Sequence, residues 1–243
     1  MSKESKALLA SGATSTSVTA PSTSSAVAKF LTKAQAIKRI AKAQTHIIFS
    51  LDATASRAPT WQRAQSLHEA LFDVASETSG LSLQLCYFKG IACFYASSWV
   101  VTAEGLRREL SEVSCEGGIT QLRRLLEHCL AQQPDSTSLK AIIFIGDAVE
   151  EDPNTLNDLA VRCRLANRPL YIFQEGSDPQ AKAIFASMAM LSGGAHIALG
   201  ENSADQLRQF LQSVIRLAAG GRKALESSAH ESDKLLLDKL TRS

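Results

Sequence analysis

A chain of 243 residues, 45% apolar and 21% charged, has material for one domain of about 200 residues plus tails, in the composition of a soluble globular protein. No apolar run approaches the roughly 20 residues that span a bilayer, and the first segment lacks the apolar core of a secretory signal, so export by that route is not expected. The net charge of +2 hides an asymmetry: the first 45 residues carry seven Lys/Arg against one Asp/Glu, and the remainder is mildly acidic.

Residues 1–28 are mostly Ser, Thr and Ala and read as a disordered, solubilising tail. Over 29–44 the register changes. Phe30, Ala34, Ile37 and Ala41 form an apolar stripe at helical spacing, flanked by Lys29, Lys33, Lys38, Arg39 and Lys42. This basic amphipathic helix is expected to pack on its own domain, the other reading being contact with nucleic acid or an anionic membrane.

A domain is predicted over 45–221, with 222–243 a charged tail holding a turn or two of helix around Leu235, Leu236, Leu237 and Leu240. Its first strand, 47–51, is apolar throughout and stops at Asp52. A helix follows from Pro59-Thr60, with Trp61, Ala64, Leu67, His68, Leu71 and Ala75 at spacings of three and four, and Gly80 closes it. Residues 81–88 and 91–97 pair as a hairpin about Lys89-Gly90. A short polar helix (102–112), a glycine-containing loop (114–120) and a helix (121–132) lead to a second fully apolar strand, 139–145, ending at Gly146-Asp147. Helices at 153–167, 179–191 and 205–219 then alternate with strands at 170–173 and 196–199. The alternation predicts an α/β fold: a doubly wound, mostly parallel six-stranded sheet with one antiparallel edge strand and helices on both faces.

Cys86, Cys93, Cys115, Cys129 and Cys163 contain no C-x-x-C pair, and three of them fall in apolar patterns. Free thiols in a reducing cytoplasm are expected, with neither a disulfide framework nor a zinc site. His46, His68, His128, His196 and His230 are dispersed without ligand spacing. Phe49 and Trp61 read as core.

The chemistry concentrates after the first strand. Asp52, Thr54 and Ser56 alternate, and in extended backbone they point one way, offering a carboxylate and two hydroxyls beyond the strand end. These are hard donors of the kind Mg²⁺, Mn²⁺ or Ca²⁺ takes. Such short runs are also common turn chemistry. Asp147 likewise follows an apolar strand, and open parallel sheets bind ligands at this carboxyl rim where the winding reverses. If the strands preceding Asp52 and Asp147 are neighbours, both carboxylates face one crevice. Thr120, at the end of the Gly-Gly loop, can add a third hydroxyl. Glu150, Glu151 and Asp152 either enrich cation near this rim or are the acidic start of a helix. Arg57 lies beside it, where it can meet an acidic partner.

This pattern resembles the metal-ion-dependent adhesion site of von Willebrand factor A domains, with Asp52-x-Thr54-x-Ser56 in place of Asp-x-Ser-x-Ser, Thr120 as the isolated threonine and Asp147 as the aspartate after the fourth strand. The resemblance covers roughly residues 45–220, and LDATASRAPTW, CEGGITQL, GDAVEED and IFQEG look like a bacterial branch of stand-alone A domains. Thr54 replaces a serine, Gly146 stands where a threonine often precedes the aspartate, and Ala148 where a glycine often follows. The resemblance implies a metal site of Asp52, Thr54, Ser56, Thr120 and Asp147 holding Mg²⁺ (or Mn²⁺ or Ca²⁺). It implies a cytoplasmic adaptor that captures an Asp or Glu carboxylate of a partner protein, an AAA+ ATPase being one such partner, and no enzymatic activity. The alternatives are a metal-free scaffold and a metal-dependent phosphoester hydrolase. Against the hydrolase stands the lack of a G-x-S-x-G, a P-loop, an aspartate nucleophile followed by a second acid, or convergent His or Lys.

Overall fold

The computed structural model describes residues 45–55, 80–132, 139–200 and 203–241. The predicted tail (1–28), basic helix (29–44), helix from Pro59-Thr60 to Gly80 and proposed ligand Ser56 lie wholly or almost wholly outside them.

Strand β1 (Thr45–Asp52) is the middle of a sheet ordered β3-β2-β1-β4-β5-β6. The other strands are β2 (Leu81–Lys89), β3 (Cys93–Ala96), β4 (Leu139–Gly146), β5 (Leu170–Gln174) and β6 (Ala195–Ala198). All pairs are parallel except β2 with β3, the hairpin at one edge. The predicted fold class is the observed one. The winding reverses at β1 and β4, where Leu51 stands opposite Ile145, so Asp52 and Gly146 end adjacent strands at the carboxyl rim.

Alternation along each strand sends side chains into two separate cores. Ile47, Phe49 and Leu51 of β1, with Ile143 and Ile145 of β4 and Tyr171 and Phe173 of β5, pack on one face. Helices α1 (Ala103–Ser111) and α5 (Ser203–Gly220) supply Leu106, Leu110, Leu207, Phe210, Leu211 and Val214 to that side. On the other face Ile48, Cys86, Phe88, Ile142, Phe144 and Ile172 meet α2 (Leu122–Ala131), α3 (Pro153–Leu165) and α4 (Pro179–Ser192). With both faces covered, β1, β4 and β5 have no polar side to show, which is why their sequences read as continuous apolar runs. Cys86, Cys129 and Cys163 fill this second core as small apolar groups, and burial pushes the Cys86 thiol up to about 12 and that of Cys163 to about 11.

Helix starts follow their local chemistry. Asp152 and Asp178 precede Pro153 and Pro179, and each carboxylate accepts first-turn N–H bonds: Thr155 at 2.9 Å for Asp152, Gln180 and Ala181 at 2.7 and 2.8 Å for Asp178.

The expected charged tail needs correction. Residues beyond Gly221 form α6 (Arg222–Glu226) and α7 (Glu231–Thr241), and Leu225 and Leu236 are fully buried in the first core. A leucine every turn or so on a charged background was enough to build an amphipathic helix, and α5 offers the apolar face that receives it. An ion pair fastens the contact: Arg216 Nη1 lies 2.6 Å from Oδ2 of the wholly buried Asp233. Beside it Ser213 Oγ donates to Ser232 Oγ at 3.0 Å.

Candidate metal-binding rim

Asp52 ends β1 with its side chain completely buried, and its Oδ1 accepts the Thr54 N–H at 2.8 Å. That bond turns the chain at the strand end, the local signature of an Asp followed by small hydroxyl residues. The turn is held from both sides, since Ala53 N donates to Phe88 O on β2 at 3.0 Å and Ala53 O accepts from Glu116 N at 3.0 Å. Thr54, 4% exposed, forms an isolated parallel bridge with Glu116. The loop containing Thr120 is thereby stitched to the strand end containing Asp52.

Gly146 lies across from Asp52 on β4. A Cβ there would sit 2.5 Å from the Phe144 ring and 3.3 Å from Asp52 Cβ. A larger residue such as the threonine often found at this position would therefore have to displace the Phe144 ring, with Asp52 Cβ a tight second neighbour. Asp147 follows, half-buried, on the same rim.

The loop 112–121 is moored to the hairpin as well. Gly118 approaches the Gly90 carbonyl so closely that a Cβ would come within 2.0 Å of its oxygen, and Ile119 N donates to that oxygen at 3.2 Å. Buried Gln121 spreads its Nε2 over the carbonyls of Lys89, Gly90 and Cys93 at 3.3, 3.4 and 3.3 Å. Lys89 reaches back to Ser114 Oγ at 3.0 Å and to Glu116 at 3.7 Å.

Thr120, 2% exposed, is clasped from the β4 side. Its backbone N–H donates to Glu150 Oε2 at 3.0 Å, its hydroxyl donates to the same oxygen at 2.8 Å, and Glu150 N donates back to Oγ1 at 3.2 Å. Next door, Glu151 accepts Leu122 N at 2.7 Å and Arg123 N at 2.9 Å, taking the first two N–H groups of α2, whose N-cap Gln121 makes no side-chain cap bond of its own. Burial raises the Glu151 carboxyl above its ordinary range, opposed by those N–H groups and by the nearby Thr120 hydroxyl. The expectation that Glu150 and Glu151 form the acidic start of the next helix does not describe this. Asp152 alone starts the helix that follows it, and the two glutamates fasten α2, some thirty residues back in the chain.

Among the predicted ligands, Asp52, Thr54, Thr120 and Asp147 thus stand on one carboxyl rim, brought there by the ends of β1 and β4 and by the loop before α2. Among the described residues no three His, Cys, Asp or Glu side chains gather into a metal centre. A site here depends on hydroxyl oxygens beside two carboxylates, a donor set that suits a hard divalent cation and not a soft one. The Thr120 hydroxyl donates to Glu150 and accepts Glu150 N, and those two bonds leave one of its lone pairs uncommitted.

No protein-family model matches the sequence, and no curated protein does. Solved structures match the fold at low identity. The conserved hypothetical protein BatB from Bacteroides thetaiotaomicron is 12% identical with a TM-score of 0.58, over 72% of this chain and 98% of that one. The SpRpn10 VWA domain is 9% identical with a TM-score of 0.52, over 68% and 94%. Proximal thread matrix protein 1 from the mussel byssus, described with a zinc-occupied MIDAS motif, is 17% identical with a TM-score of 0.55, over 72% of this chain and 46% of that one.

Proposed function

We propose that this chain, whose fold is that of a von Willebrand factor A domain, is a non-enzymatic protein-binding module that captures an Asp or Glu carboxylate of a partner at a divalent cation. One observation supports the reading: a fully buried Asp52 ends β1 beside the end of β4 at the switch in winding, and Thr120 is tied to the loop after β4 through Glu150. In this reading Asp52 and Asp147 supply negative charge while Thr54, Thr120 and Ser56 supply neutral oxygens. A cation so held keeps enough positive charge to attract one more anionic oxygen, which the partner provides. Mg²⁺ is the first choice for such hard donors, with Mn²⁺ or Ca²⁺ as substitutes. The zinc-bearing motif of the mussel protein supports a divalent ion on this fold. The partner class suggested by the sequence resemblance is an AAA+ ATPase. Three core thiols favour a reducing cytoplasm as the setting.

Calorimetric titration of the full chain with Mn²⁺ tests the reading, with Asp52→Ala and Thr120→Ala alongside and circular dichroism as the fold control. Each substitution is expected to weaken binding at least about tenfold, or roughly 1.4 kcal/mol. The proposal fails if the unsubstituted protein shows neither binding nor thermal stabilisation at millimolar Mn²⁺, with or without an acidic peptide.

A further inference from the structure

Glu150 lies outside the ligand set the sequence suggested, yet it accepts both the N–H and the hydroxyl of Thr120. We propose that Glu150 is a positioning residue of the rim, fixing the Thr120 hydroxyl so that its free lone pair faces a bound divalent cation. This rests on the cation-binding reading above. A hydroxyl can ligate a cation only through a lone pair, and its proton must then point elsewhere. Left alone, the group rotates about its C–O bond, and an orientation is lost each time a cation binds. Here two bonds to the hydroxyl remove that freedom, and a third steadies the acceptor. The proton goes to Glu150 Oε2 at 2.8 Å, the Thr120 N–H holds the same oxygen at 3.0 Å, and Glu150 N occupies one lone pair at 3.2 Å. A carboxylate accepting the proton also makes the oxygen more basic, as outer partners do for metal-bound histidine. The clasp joins the loop after β4 to the loop before α2, so it places the hydroxyl as well as turning it.

The test is Mn²⁺ titration of the full chain carrying Glu150→Ala, Glu150→Gln, Thr120→Ala, or Thr120→Ala with Glu150→Ala. Removing an outer partner costs about 10- to 100-fold in metal affinity, and at least tenfold weakening is expected for Glu150→Ala. Glutamine keeps an oxygen that accepts both Thr120 bonds, so Glu150→Gln should weaken binding by no more than about threefold. In the Thr120→Ala background, Glu150→Ala should cost nothing more, because the hydroxyl it orients is gone. A merely structural glutamate would instead lower thermal stability in both backgrounds and leave affinity alone. The inference is overturned if Glu150→Ala binds Mn²⁺ normally, if Glu150→Gln is as damaging as Glu150→Ala, or if the two losses add in the double variant. Absence of Mn²⁺ binding by the unsubstituted protein would overturn the functional reading and this inference together. Normal binding by Glu150→Ala overturns this inference alone.

Discussion

Helix α7 is held by a charge pair whose two ends are unequally buried, and this makes its energetics directional. Asp233 has no exposed surface and its Oδ1 has no hydrogen-bond partner among the described residues, so Arg216 and the N-terminal turn of α7 are what stabilise that carboxylate. The Arg216 side chain is 31% exposed and reaches water. Replacing arginine by methionine keeps the apolar stem and strands a buried carboxylate, a change that costs about 3–5 kcal/mol for fully buried pairs. Partial exposure of this pair puts the expectation near the lower end, about 3 kcal/mol. Asp233→Asn instead releases a guanidinium that solvent can hydrate and should cost only about 1 kcal/mol. The double variant should be more stable than Arg216→Met alone, since no charge is left buried. Urea unfolding of the three variants, compared at unchanged slope, measures these differences. Equal losses for the two single variants, or a larger loss for Asp233→Asn, would refute the argument from unequal burial.

Two further outcomes are expected. Gly118→Ala would drive a Cβ into the Gly90 carbonyl. It should therefore lower stability by about 1–3 kcal/mol and speed amide exchange at Ile119; unchanged exchange would mean the loop is not moored through this contact. His196, bonded to Gln174 Oε1 at 2.9 Å, is pushed down to about 4 by burial and then by the charges of Lys239 and Lys182. It is therefore neutral in the fold and takes up its proton more readily when unfolded. Its contribution to stability is full above the ordinary value of 6.5 and is lost as pH falls from there through about 4. Across that window His196→Gln should lose less stability than the parent in urea titrations, and parallel curves would count against the assignment.

The sheet was legible because its physics is local. Apolar runs buried on both faces, Asp-Pro helix starts and a Lys-Gly hairpin turn each state their structure within a few residues, and the order of elements then leaves few topologies. Asp52 and Asp147 were legible for the same reason, as carboxylates directly after apolar strands. What stayed hidden depends on pairings distant in sequence. Nothing near Glu150 and Glu151 says that they turn back to the start of α2 instead of opening α3. The burial of Asp233 depends on Arg216 two helices earlier, and Leu236 joins the core because α5, α6 and β6 give its helix a surface to pack on. Gly146 reads in sequence as a departure from a motif, while in space the Phe144 ring lies where its side chain would go.

Central placement of β1 also sets when the rim exists during folding. Ile47 pairs with Ala141, with the whole of β2, β3, α1 and α2 between them. Closing so long a loop is entropically costly and comes after the nearby β2–β3 hairpin, so the junction of β1 with β4 belongs to the slow, non-local part of assembly. Asp52 meets Gly146 only at that junction. Unfolded or half-assembled chains therefore contain every rim residue and no rim, and a ligand that needs Asp52 and Asp147 together selects completed molecules.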